Sequence, residues 1–523
     1  MNRSASTSPS DLTLPKMLWQ AEERFPERPA LLEREKVVDY RALAARVRQA
    51  ALLLSEMCGV ERGDRVTLLL PNSSRFVVMH YAVLSLGAVV APLNPQLRGG
   101  PLEDAITLTD PVCLVTDAAH AGWVVSIGSR SPRLRSLVVF TERGEEAPLQ
   151  ILTGAQLDEV STLQLDSLSP APAAPEDPSA DDDAILFMTS GTTGRPKGIL
   201  ITHRQALLGI DSWVRRWNFG PDTVSLMVAP FFHVVFNPLV LGAHRVGAAA
   251  VVLTTLTGRA AIRAIAKQRA TALMGTPALF IQLLQDASSL AADLSSIDAV
   301  IYGAAPTPVP VIRSLRQRFP DAGLYNCYGL TESCSSLTCL GPEQLAGREE
   351  SVGLPHSDVE ITIRDESHRE LAQGEPGEIY CRGRHVIRTY YGATEADAER
   401  FHDGWLRTGD IGYRDADGFL YLVGRRDERV NISGEKVYPA AIENVLYGHP
   451  RVGDAAVIGI PDAKRGQVIK AFIVPAGSGE VDLGELKRFC AGQLPPLLIP
   501  RSFEILDELP RNPSGKIMRS QLS

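Results

Sequence analysis

A stretch rich in glycine and hydroxyl residues, lying between two apolar runs, holds the densest group of potentially chemical side chains in the sequence. It runs from Phe187 to Gly198 and includes two cations, Arg195 and Lys197. Glycines let successive backbone N–H groups point into one concavity, which binds anionic oxygens, and a lysine adds a point charge. The stretch therefore predicts a loop that joins two strands and binds polyphosphate through Thr189, Ser190, Gly191, Thr192, Thr193, Gly194 and Lys197.

This loop is not a Walker loop, because Pro196 stands before Lys197 where a Walker loop has glycine. It closely resembles the phosphate-binding signature of the adenylate-forming superfamily, and of its acyl-CoA synthetases in particular. The resemblance implies that Mg²⁺ is the cofactor and that ATP and coenzyme A are co-substrates. It also implies two steps, in which a carboxylate first attacks the α-phosphate to give acyl-AMP and pyrophosphate. A thiol, or sometimes an amine, then displaces AMP.

A run of small residues ends the predicted strand at 299–306. Gly303, Ala304 and Ala305 place no bulk above the backbone, so a flat ring could lie against them. The resemblance assigns adenine to this surface, and a plain transition from strand to turn is the alternative.

The string from Leu324 to Glu332 matches the next signature of the family. A predicted strand ends at Tyr328 and leads into a turn that carries a hydroxyl and a carboxylate. Carboxylate oxygen suits the hard cation Mg²⁺, so Glu332 is the predicted metal residue. The resemblance gives nucleotide contacts or catalytic roles to Asn326, Tyr328, Gly329, Thr331 and Glu332.

Two later strings resemble the ribose-binding and hinge signatures of the family. Asp410, in the string 404–410, can accept charge-assisted hydrogen bonds from both ribose hydroxyls. The resemblance adds Arg425 to the ribose site and makes Asp427 a hinge. The hinge would separate an N-terminal domain, 1–426, that binds AMP and the acyl group, from a small mobile domain, 427–523.

The small domain carries candidate residues for both steps. Lys516 matches the catalytic lysine of the family, which neutralises charge as the carboxylate bonds to the α-phosphate. By the same resemblance the backbone of Gly434, beside Ser433, approaches the pantetheine arm of coenzyme A. Arg465 lies in a basic turn after a predicted strand and could meet coenzyme A phosphates, although a solvated turn is an equal alternative.

The segment 230–236 contains the candidate acyl-site residue His233. In the family a histidine or aromatic residue here gates the acyl site, and a buried core histidine is the alternative. Val234 stands where relatives that activate α-amino acids usually carry an aspartate. An ammonium group there would be buried without a partner, which is costly. We therefore expect the substrate to be an aliphatic or aryl carboxylic acid without an α-amino group.

The acceptor is less closely defined by the sequence. Coenzyme A is the default, and an acyl-carrier-protein thiol or an amine in a biosynthetic pathway is the rival enzymatic interpretation. A non-catalytic binding protein with this fold is a third, and the intact set of polar motif residues argues against it.

These residues need a scaffold of more than one domain, because 523 residues are too many for one compact core. Helical and strand patterns alternate from about residue 14 to 160, which predicts an α/β layered domain with parallel sheet. The Pro/Ala/Asp-rich segment 167–183 has the composition of a linker. Residues 428–523 predict a small α+β domain.

Composition excludes several classes of function. The net charge is −8 and no long Lys/Arg run occurs, so nothing indicates nucleic acid binding. The seven scattered cysteines lack metal spacing and predict reduced thiols of a cytoplasmic protein. Residues 1–12 have no apolar core and do not predict a signal peptide. The apolar tract 76–91 predicts a core helix followed by a strand and not a membrane span.

Overall fold

The computed structural model describes residues 11–128, 131–141, 149–153, 159–163, 177–190, 196–393, 398–477, 481–512 and 515–523. The chain forms two compact units. The first comprises Met1–Thr255, Leu330–Ser336 and Arg384–Phe401, and the second Leu256–Gly329, Leu337–Gly383 and His402–Ser523. This division differs from the one at the hinge, so the domains 1–426 and 427–523 stay a prediction.

The first unit alternates helices and strands, as its sequence pattern predicts. Its helices are α1 (Leu14–Arg24), α2 (Tyr40–Glu56), α3 (Ser74–Ser85), α4 (Gly99–Thr109), α5 (Ala118–Gly128), α6 (His203–Arg216) and α7 (Gly242–Arg245). Its strands are β1 (Pro29–Glu33), β2 (Lys36–Asp39), β3 (Arg65–Leu69), β4 (Val89–Pro92), β5 (Cys113–Asp117), β6 (Ser136–Phe140), β7 (Leu149–Thr153), β8 (Glu159–Leu163), β9 (Asp183–Ser190), β10 (Pro196–Thr202), β11 (Val224–Met227) and β12 (Ala249–Val251).

The main sheet of the first unit has the strand order β10-β9-β4-β3-β5-β6-β7-β8. Its centre is parallel, from β9 through β4, β3 and β5 to β6, and antiparallel pairs flank it at both ends. Helix α3 is buried along its whole length, as the apolar tract 76–91 predicts. Residues 167–176 of the predicted linker, 167–183, lie outside the described residues, and its last residue, Asp183, begins β9.

Polar side chains start several of these helices where the pattern changes from strand to helix. The Asp39 carboxylate accepts a hydrogen bond from Ala42 N at 2.7 Å, at the start of α2. Thr202 and Gln205 form a capping box at the start of α6, directly after β10. Such caps satisfy backbone N–H groups that have no partner inside the helix, so α6 begins at a fixed point directly after β10.

The second unit has its own helices and strands. The helices are α8 (Gly258–Gln268), α9 (Pro277–Gln285), α10 (Ala287–Ala291), α11 (Val309–Arg318), α12 (Pro439–Tyr447) and α13 (Leu483–Ala491). The strands are β13 (Ala272–Gly275), β14 (Ala299–Gly303), β15 (Gly323–Tyr328), β16 (Thr338–Leu340), β17 (Ser351–Pro355), β18 (Val359–Arg364), β19 (Gly377–Gly383), β20 (Phe401–His402, whose first residue belongs to the first unit), β21 (Trp405–Arg414), β22 (Leu420–Arg425), β23 (Val430–Ile432), β24 (Glu435–Val437), β25 (Val452–Asp462), β26 (Gly466–Pro475) and β27 (Ser502–Ile505).

The larger sheet of the second unit follows the order β18-β19-β21-β22-β17-β16-β15-β14-β13. Strands β13, β14 and β15 are parallel, so their carboxyl ends meet at one edge. The strands beyond β15 pair antiparallel. Ligands of α/β proteins bind outside the carboxyl ends of parallel strands, which makes this edge the expected position of a site.

The C-terminal residues form a separate α+β layer within the second unit, as the sequence predicts. Strands β24-β23-β26-β25 are neighbours in that order, and β27 pairs parallel with β26. Helices α12 and α13 cover the sheet over a core that includes Ile442, Val457, Ile473 and Leu486. The α/β class predicted for the chain, with a smaller C-terminal α+β part, is confirmed.

Within the described part of the chain, no helix is both long and apolar enough to cross a membrane. All seven cysteines are described and none of them forms a disulfide bond.

A buried histidine cluster adds a pH-sensitive element to the first unit. His80 on α3 is fully buried, and both of its ring nitrogens lack a hydrogen-bond partner among the described residues. Its ring centroid lies 5.0 Å from that of Phe236 and 6.0 Å from that of Phe76. Burial, with a smaller effect of His203, lowers the pKa of His80 to about 3. Burial likewise lowers the pKa values of His203 and His244 to about 4.

We expect the first unit to lose stability as the pH falls below about 6.5, because the unfolded chain then binds protons that the folded histidines refuse. Each such group lowers the free energy of unfolding by up to about 1.4 kcal/mol per pH unit until its folded pKa is reached. His80→Phe should stabilise the protein at pH 7 and reduce the loss between pH 7.5 and 5. Urea unfolding followed by tryptophan fluorescence measures both effects. An unchanged pH dependence would show that His80 does not contribute.

Candidate active site

The predicted phosphate loop is flanked in the first unit by two strands that pair with each other. Strands β9 and β10 pair antiparallel, with Lys197 opposite Thr189 and Pro196 opposite Ser190. Lys197 is half-buried at the start of β10. The predicted contact residues Gly191, Thr192, Thr193 and Gly194 lie outside the described residues. The backbone of Ser190 is described, at the end of β9.

Tyr390 is a site residue that the sequence analysis does not identify. It lies in the segment 384–391 and is almost fully buried. Its hydroxyl donates a hydrogen bond to Glu332 Oε1 at 2.8 Å, and Lys197 Nζ lies 5.0 Å from the centroid of its ring. The first unit thus brings together the predicted phosphate lysine and the predicted metal carboxylate around one tyrosine. No local pattern around Tyr390 signals this role, because both contacts are distant in sequence.

Glu332 is suited to hold a divalent cation. It lies in a short 3-10 turn, Thr331–Ser333, and is 9% exposed. Its described side-chain partner, Tyr390, is a neutral donor that engages one carboxylate oxygen and leaves the negative charge in place. A hard cation such as Mg²⁺ prefers carboxylate oxygen and usually also binds phosphate. Thr331, half-buried at the start of the turn, is the neighbouring hydroxyl.

The second unit places the predicted adenine surface at the carboxyl edge of its parallel strands. A Cβ on Gly303 would lie 2.3 Å from Cys327 O, so only glycine permits this approach of β14 to β15. Ala304 has a φ of +64° and is exposed, and Ala305 is half-exposed. The Asn326 amide donates to Ser351 O at 2.8 Å, which fixes the orientation of its carbonyl oxygen. These residues form an open surface without bulky side chains.

The predicted ribose carboxylate, Asp410, is buried between two donors. Tyr328 donates its hydroxyl to Asp410 Oδ2 at 2.6 Å, and Arg425 Nη1 donates to Asp410 Oδ1 at 2.9 Å. Strand pairing sets the second contact, because Asp410 on β21 lies opposite Arg425 on β22. A carboxylate offers about four acceptor positions. Asp410 therefore retains acceptor capacity for two ribose hydroxyls after its two protein contacts.

The charge state of this cluster follows from its surroundings. Burial and the negative charge of Asp410 raise the pKa of Tyr328 well above its usual value, so the phenol stays a hydrogen-bond donor. Burial alone would lower the pKa of Arg425, but the carboxylates of Asp410 and Asp427 outweigh burial and raise that pKa. Arg425 Nε also donates to the predicted hinge residue, Asp427, at 3.2 Å. The predicted ribose and hinge residues are thus joined through one guanidinium group.

Lys516 stands on a tight turn of the C-terminal layer. Asn512 N donates to Lys516 O at 2.9 Å, and Lys516 N donates to Asn512 Oδ1 at the same distance. Gly515, with a φ of +84°, packs against Thr276, because a Cβ built on it would lie 3.0 Å from Thr276 Oγ1. Thr276 directly follows β13 and caps α9. The turn that presents Lys516 therefore lies at the carboxyl edge of the parallel strands.

The predicted coenzyme A residues meet elsewhere on the same layer. Ser433 N donates to Arg465 O at 2.8 Å, so these two positions are neighbours although 32 residues separate them. Gly434 is exposed with a φ of +90°, and nothing lies within 4 Å of a Cβ placed there. Beyond it, Lys436 pairs with Glu366 at 3.0 Å. Lys516 and Gly434 thus lie against different parts of the second unit.

The side chain of Asn72 fixes the loop that carries His233. Phe231 N donates to Asn72 Oδ1 at 2.7 Å, and Asn72 Nδ2 donates to Ala229 O at 3.0 Å. His233 is half-buried, unlike the core histidines, whereas Val234 is 3% exposed. Strand β11 ends at Met227, and the backbone turns after Pro230, where His233 N donates to Pro230 O. A π-helix, Asn237–Leu241, follows, a conformation that often marks functional sites.

Comparison with known proteins gives matches over most of the chain. Residues 18–391 match the family model described as AMP-binding enzyme, and residues 441–516 match the AMP-binding enzyme C-terminal domain. Feruloyl-CoA synthase of an Amycolatopsis species is 31% identical over 92% of this chain and 93% of that protein. 2-Succinylbenzoate–CoA ligase of Bacillus velezensis is 31% identical over 97% of each protein.

Solved structures give the same result for the fold. The o-succinylbenzoate CoA synthetase of Bacillus subtilis, in complex with the acyl-adenylate intermediate OSB-AMP, matches with a TM-score of 0.81 and 29% identity. That match covers 97% of this chain and 98% of the other. The amide bond synthetase of Marinactinospora thermotolerans matches with a TM-score of 0.84 and 26% identity, over 97% and 99% of the two chains.

We expect Asp410→Ala to weaken ATP binding by about 30-fold, because it removes charge-assisted acceptors worth about 2 kcal/mol. The wild-type protein should bind 2′,3′-dideoxy-ATP correspondingly less tightly than ATP, and the variant should bind the two nucleotides equally. Calorimetric titration without an acid substrate measures all four affinities. A variant that still prefers ATP to the dideoxy nucleotide would contradict the assignment of ribose to Asp410.

Proposed function

We propose that this chain, which belongs to the family of AMP-binding enzymes, activates a carboxylic acid as acyl-AMP and transfers the acyl group to coenzyme A. Its enzyme class is that of the AMP-forming acid–thiol ligases. In the first step a carboxylate oxygen bonds to the α-phosphorus of ATP and pyrophosphate leaves. In the second step the thiol sulfur of coenzyme A bonds to the acyl carbon, and AMP leaves. A cytoplasmic location is part of the proposal.

The position of the Lys516 turn is the observation that carries this proposal. Gly515 packs against Thr276 at the strand edge where Gly303 and Tyr328 also lie. A lysine at that edge can neutralise the charge that develops as the carboxylate bonds to phosphorus. Binding a nucleotide does not by itself need this cation, so its position favours adenylation over a binding protein.

The first unit would supply the groups that hold the triphosphate. Lys197 would contact phosphate oxygens from the start of β10, and Glu332 would hold Mg²⁺ through the carboxylate oxygen that Tyr390 does not engage. The cation would add positive charge beside the phosphates. In the second unit Asp410 and Arg425 would fix the ribose, and thereby orient the α-phosphate towards the attacking acid.

The acyl substrate we propose is a carboxylic acid without an α-amino group, either aliphatic or aryl. Val234 is 3% exposed beside Phe231 and Phe236, whose ring centroids are 5.1 Å apart. An ammonium group against these apolar side chains would be desolvated without a counterion. The names of the 31% identical relatives, for feruloyl-CoA and 2-succinylbenzoate, support this choice because neither denotes an α-amino acid. His233, half-buried in the same loop, would gate the acyl site.

Coenzyme A is the acceptor we propose, with the backbone of Gly434 beside the pantetheine arm and Arg465 near its phosphates. The backbone bond between Ser433 and Arg465 supports this arrangement, because it brings the backbone of Arg465 against the residue that precedes the exposed Gly434. An amine is the second candidate acceptor, favoured by the similarity to the amide bond synthetase. An acyl-carrier-protein thiol is the remaining alternative.

Pyrophosphate release from ATP should require Mg²⁺ and a carboxylic acid. The rate of this release should increase when coenzyme A is added. The substrate panel should pair acids with their α-amino analogues, such as 3-phenylpropanoate with phenylalanine and octanoate with 2-aminooctanoate. Within each pair the acid without the amino group should react faster, because the ammonium group has no partner near Val234.

Each alternative gives a different outcome in this panel. Formation of ADP, or no pyrophosphate with any acid, would contradict adenylation and favour the binding protein. Turnover that responds to amines and not to coenzyme A would identify an amide synthetase. A faster reaction with the amino acid of every pair would contradict the proposed acyl pocket.

Lys516 and Gly434 should serve different half-reactions, because they lie against different parts of the second unit. Lys516→Ala should slow adenylation about a thousandfold, if about 4 kcal/mol of transition-state stabilisation is lost, and nearly spare thioester formation from preformed acyl-AMP. Gly434→Leu should do the reverse, because a side chain would block the pantetheine path. Rapid-quench assays of each half-reaction measure both effects.

Matched variants control for charge and backbone strain. Lys487→Ala removes an exposed lysine on α13 and should change neither step. Gly434→Ala carries the same strain at positive φ with less bulk, so it should impair thioester formation less than leucine does. Equal loss of both half-reactions in Lys516→Ala and Gly434→Leu would contradict separate roles and the rotation about Asp427 that they require.

A further inference from the structure

Tyr390 contacts two charged groups of the first unit through different parts of its side chain. The hydroxyl donates to Glu332 Oε1 at 2.8 Å, and the face of the ring lies 5.0 Å from Lys197 Nζ. Phe401 packs edge-on against the same ring, with centroids 5.6 Å apart. With 4% of its surface exposed, the ring is held by its neighbours and has little freedom to turn.

Both contacts position a charge without cancelling it. A phenol is a neutral donor, so Glu332 remains an anion while one of its oxygens is fixed. The π face of tyrosine attracts an ammonium group through its quadrupole and transfers no counter-charge to it. A carboxylate or an arginine in the place of Tyr390 would instead pair with Lys197 or Glu332, and that ion pair would have to break before a ligand could bind.

Backbone bonds hold the segment on either side of this side chain. Ile387 N donates to Glu332 O at 2.9 Å, and Tyr391 N donates to Gly198 O at 2.8 Å. A Cβ on Gly198 would lie 3.0 Å from Tyr391 Cβ, so glycine allows the segment to approach β10 closely. These bonds do not involve the side chain of Tyr390, and the backbone should keep its place when that side chain is changed.

We propose that Tyr390 is a positioning residue for Mg²⁺–ATP, setting the spacing between the carboxylate that receives the cation and the ammonium group that meets the phosphates. This inference rests on the proposed function, since it takes Glu332 as the metal residue and Lys197 as the phosphate residue. The hydroxyl orients Glu332 so that its second oxygen faces the cation. The ring supports Lys197, which contacts phosphate whether or not the cation is bound.

The two contacts can be separated by substitution at one position. Tyr390→Phe keeps the ring and removes the hydroxyl, whereas Tyr390→Leu removes both contacts. Tyr391→Phe is the matched control, because it deletes a hydroxyl from the adjacent tyrosine and keeps the contacts of Tyr390 with Glu332 and Lys197. Thermal unfolding of all three variants checks that each is folded before binding is measured.

The affinity for ATP is measured by calorimetric titration without any acid substrate, once with Mg²⁺ and once with EDTA in its place. This readout does not depend on turnover. In Tyr390→Phe the gain in ATP affinity that Mg²⁺ provides should fall roughly tenfold, and the affinity measured in EDTA should not change. In Tyr390→Leu the affinity in EDTA should also fall, about two- to fivefold, with the lost cation–π contact. Tyr391→Phe should match the wild-type protein in both titrations.

A Tyr390→Phe protein in which Mg²⁺ strengthens ATP binding as much as in the wild type, or more, would overturn the proposal. So would equal losses in Tyr390→Phe and Tyr391→Phe, which indicate a general disturbance of the segment. Failure of the proposed function looks different. Wild-type protein that binds Mg²⁺–ATP and releases no pyrophosphate with any acid would contradict adenylation and leave the role of Tyr390 standing.

Discussion

A buried carboxylate has to be partnered, and the predicted ribose residue and the predicted metal residue each meet that requirement with a tyrosine hydroxyl in their own unit. Asp410 accepts from Tyr328 in the second unit, and Glu332 accepts from Tyr390 in the first. A neutral donor satisfies one oxygen and leaves the anion intact. The two carboxylates differ in their second contact, because Arg425 also donates to Asp410. Asp410 is thus suited to neutral hydroxyls, and Glu332 to a metal cation.

Local pattern was enough to predict the elements that carry these residues. The apolar runs on either side of residues 191–195 predicted the β9–β10 hairpin, and the motif ending at Tyr328 predicted the end of β15. The motifs, which occur in the order typical of the family, also indicated which residues at each strand end are candidates for the site. The hydrogen bonds between those residues could not be predicted in the same way. Tyr390 and Glu332 are 58 residues apart, and Tyr328 and Asp410 are 82 apart, so chain folding alone brings them together.

Other parts of the site were missed for the same reason. Asn72 ends a strand pattern in the sequence, and only the fold reveals that it holds the loop of Phe231. The π-helix after that loop has no sequence signal that separates it from an α-helix. The resemblance made Tyr328 a nucleotide contact, and the structure also gives its hydroxyl a contact with Asp410. Roles that depend on single long-range contacts therefore required the structure, although the family and the fold class did not.

The central claim is that the chain joins a carboxylate oxygen to the α-phosphorus of ATP, and isotope transfer tests it most directly. A carboxylic acid labelled with ¹⁸O in both oxygens is incubated with ATP, Mg²⁺, coenzyme A and the protein, and the products are examined by mass spectrometry. Adenylation predicts one ¹⁸O atom in AMP, one in the thioester, and none in pyrophosphate. Label in inorganic phosphate or pyrophosphate, or AMP without label, would contradict the account, because the carboxylate would not have attacked the α-phosphorus.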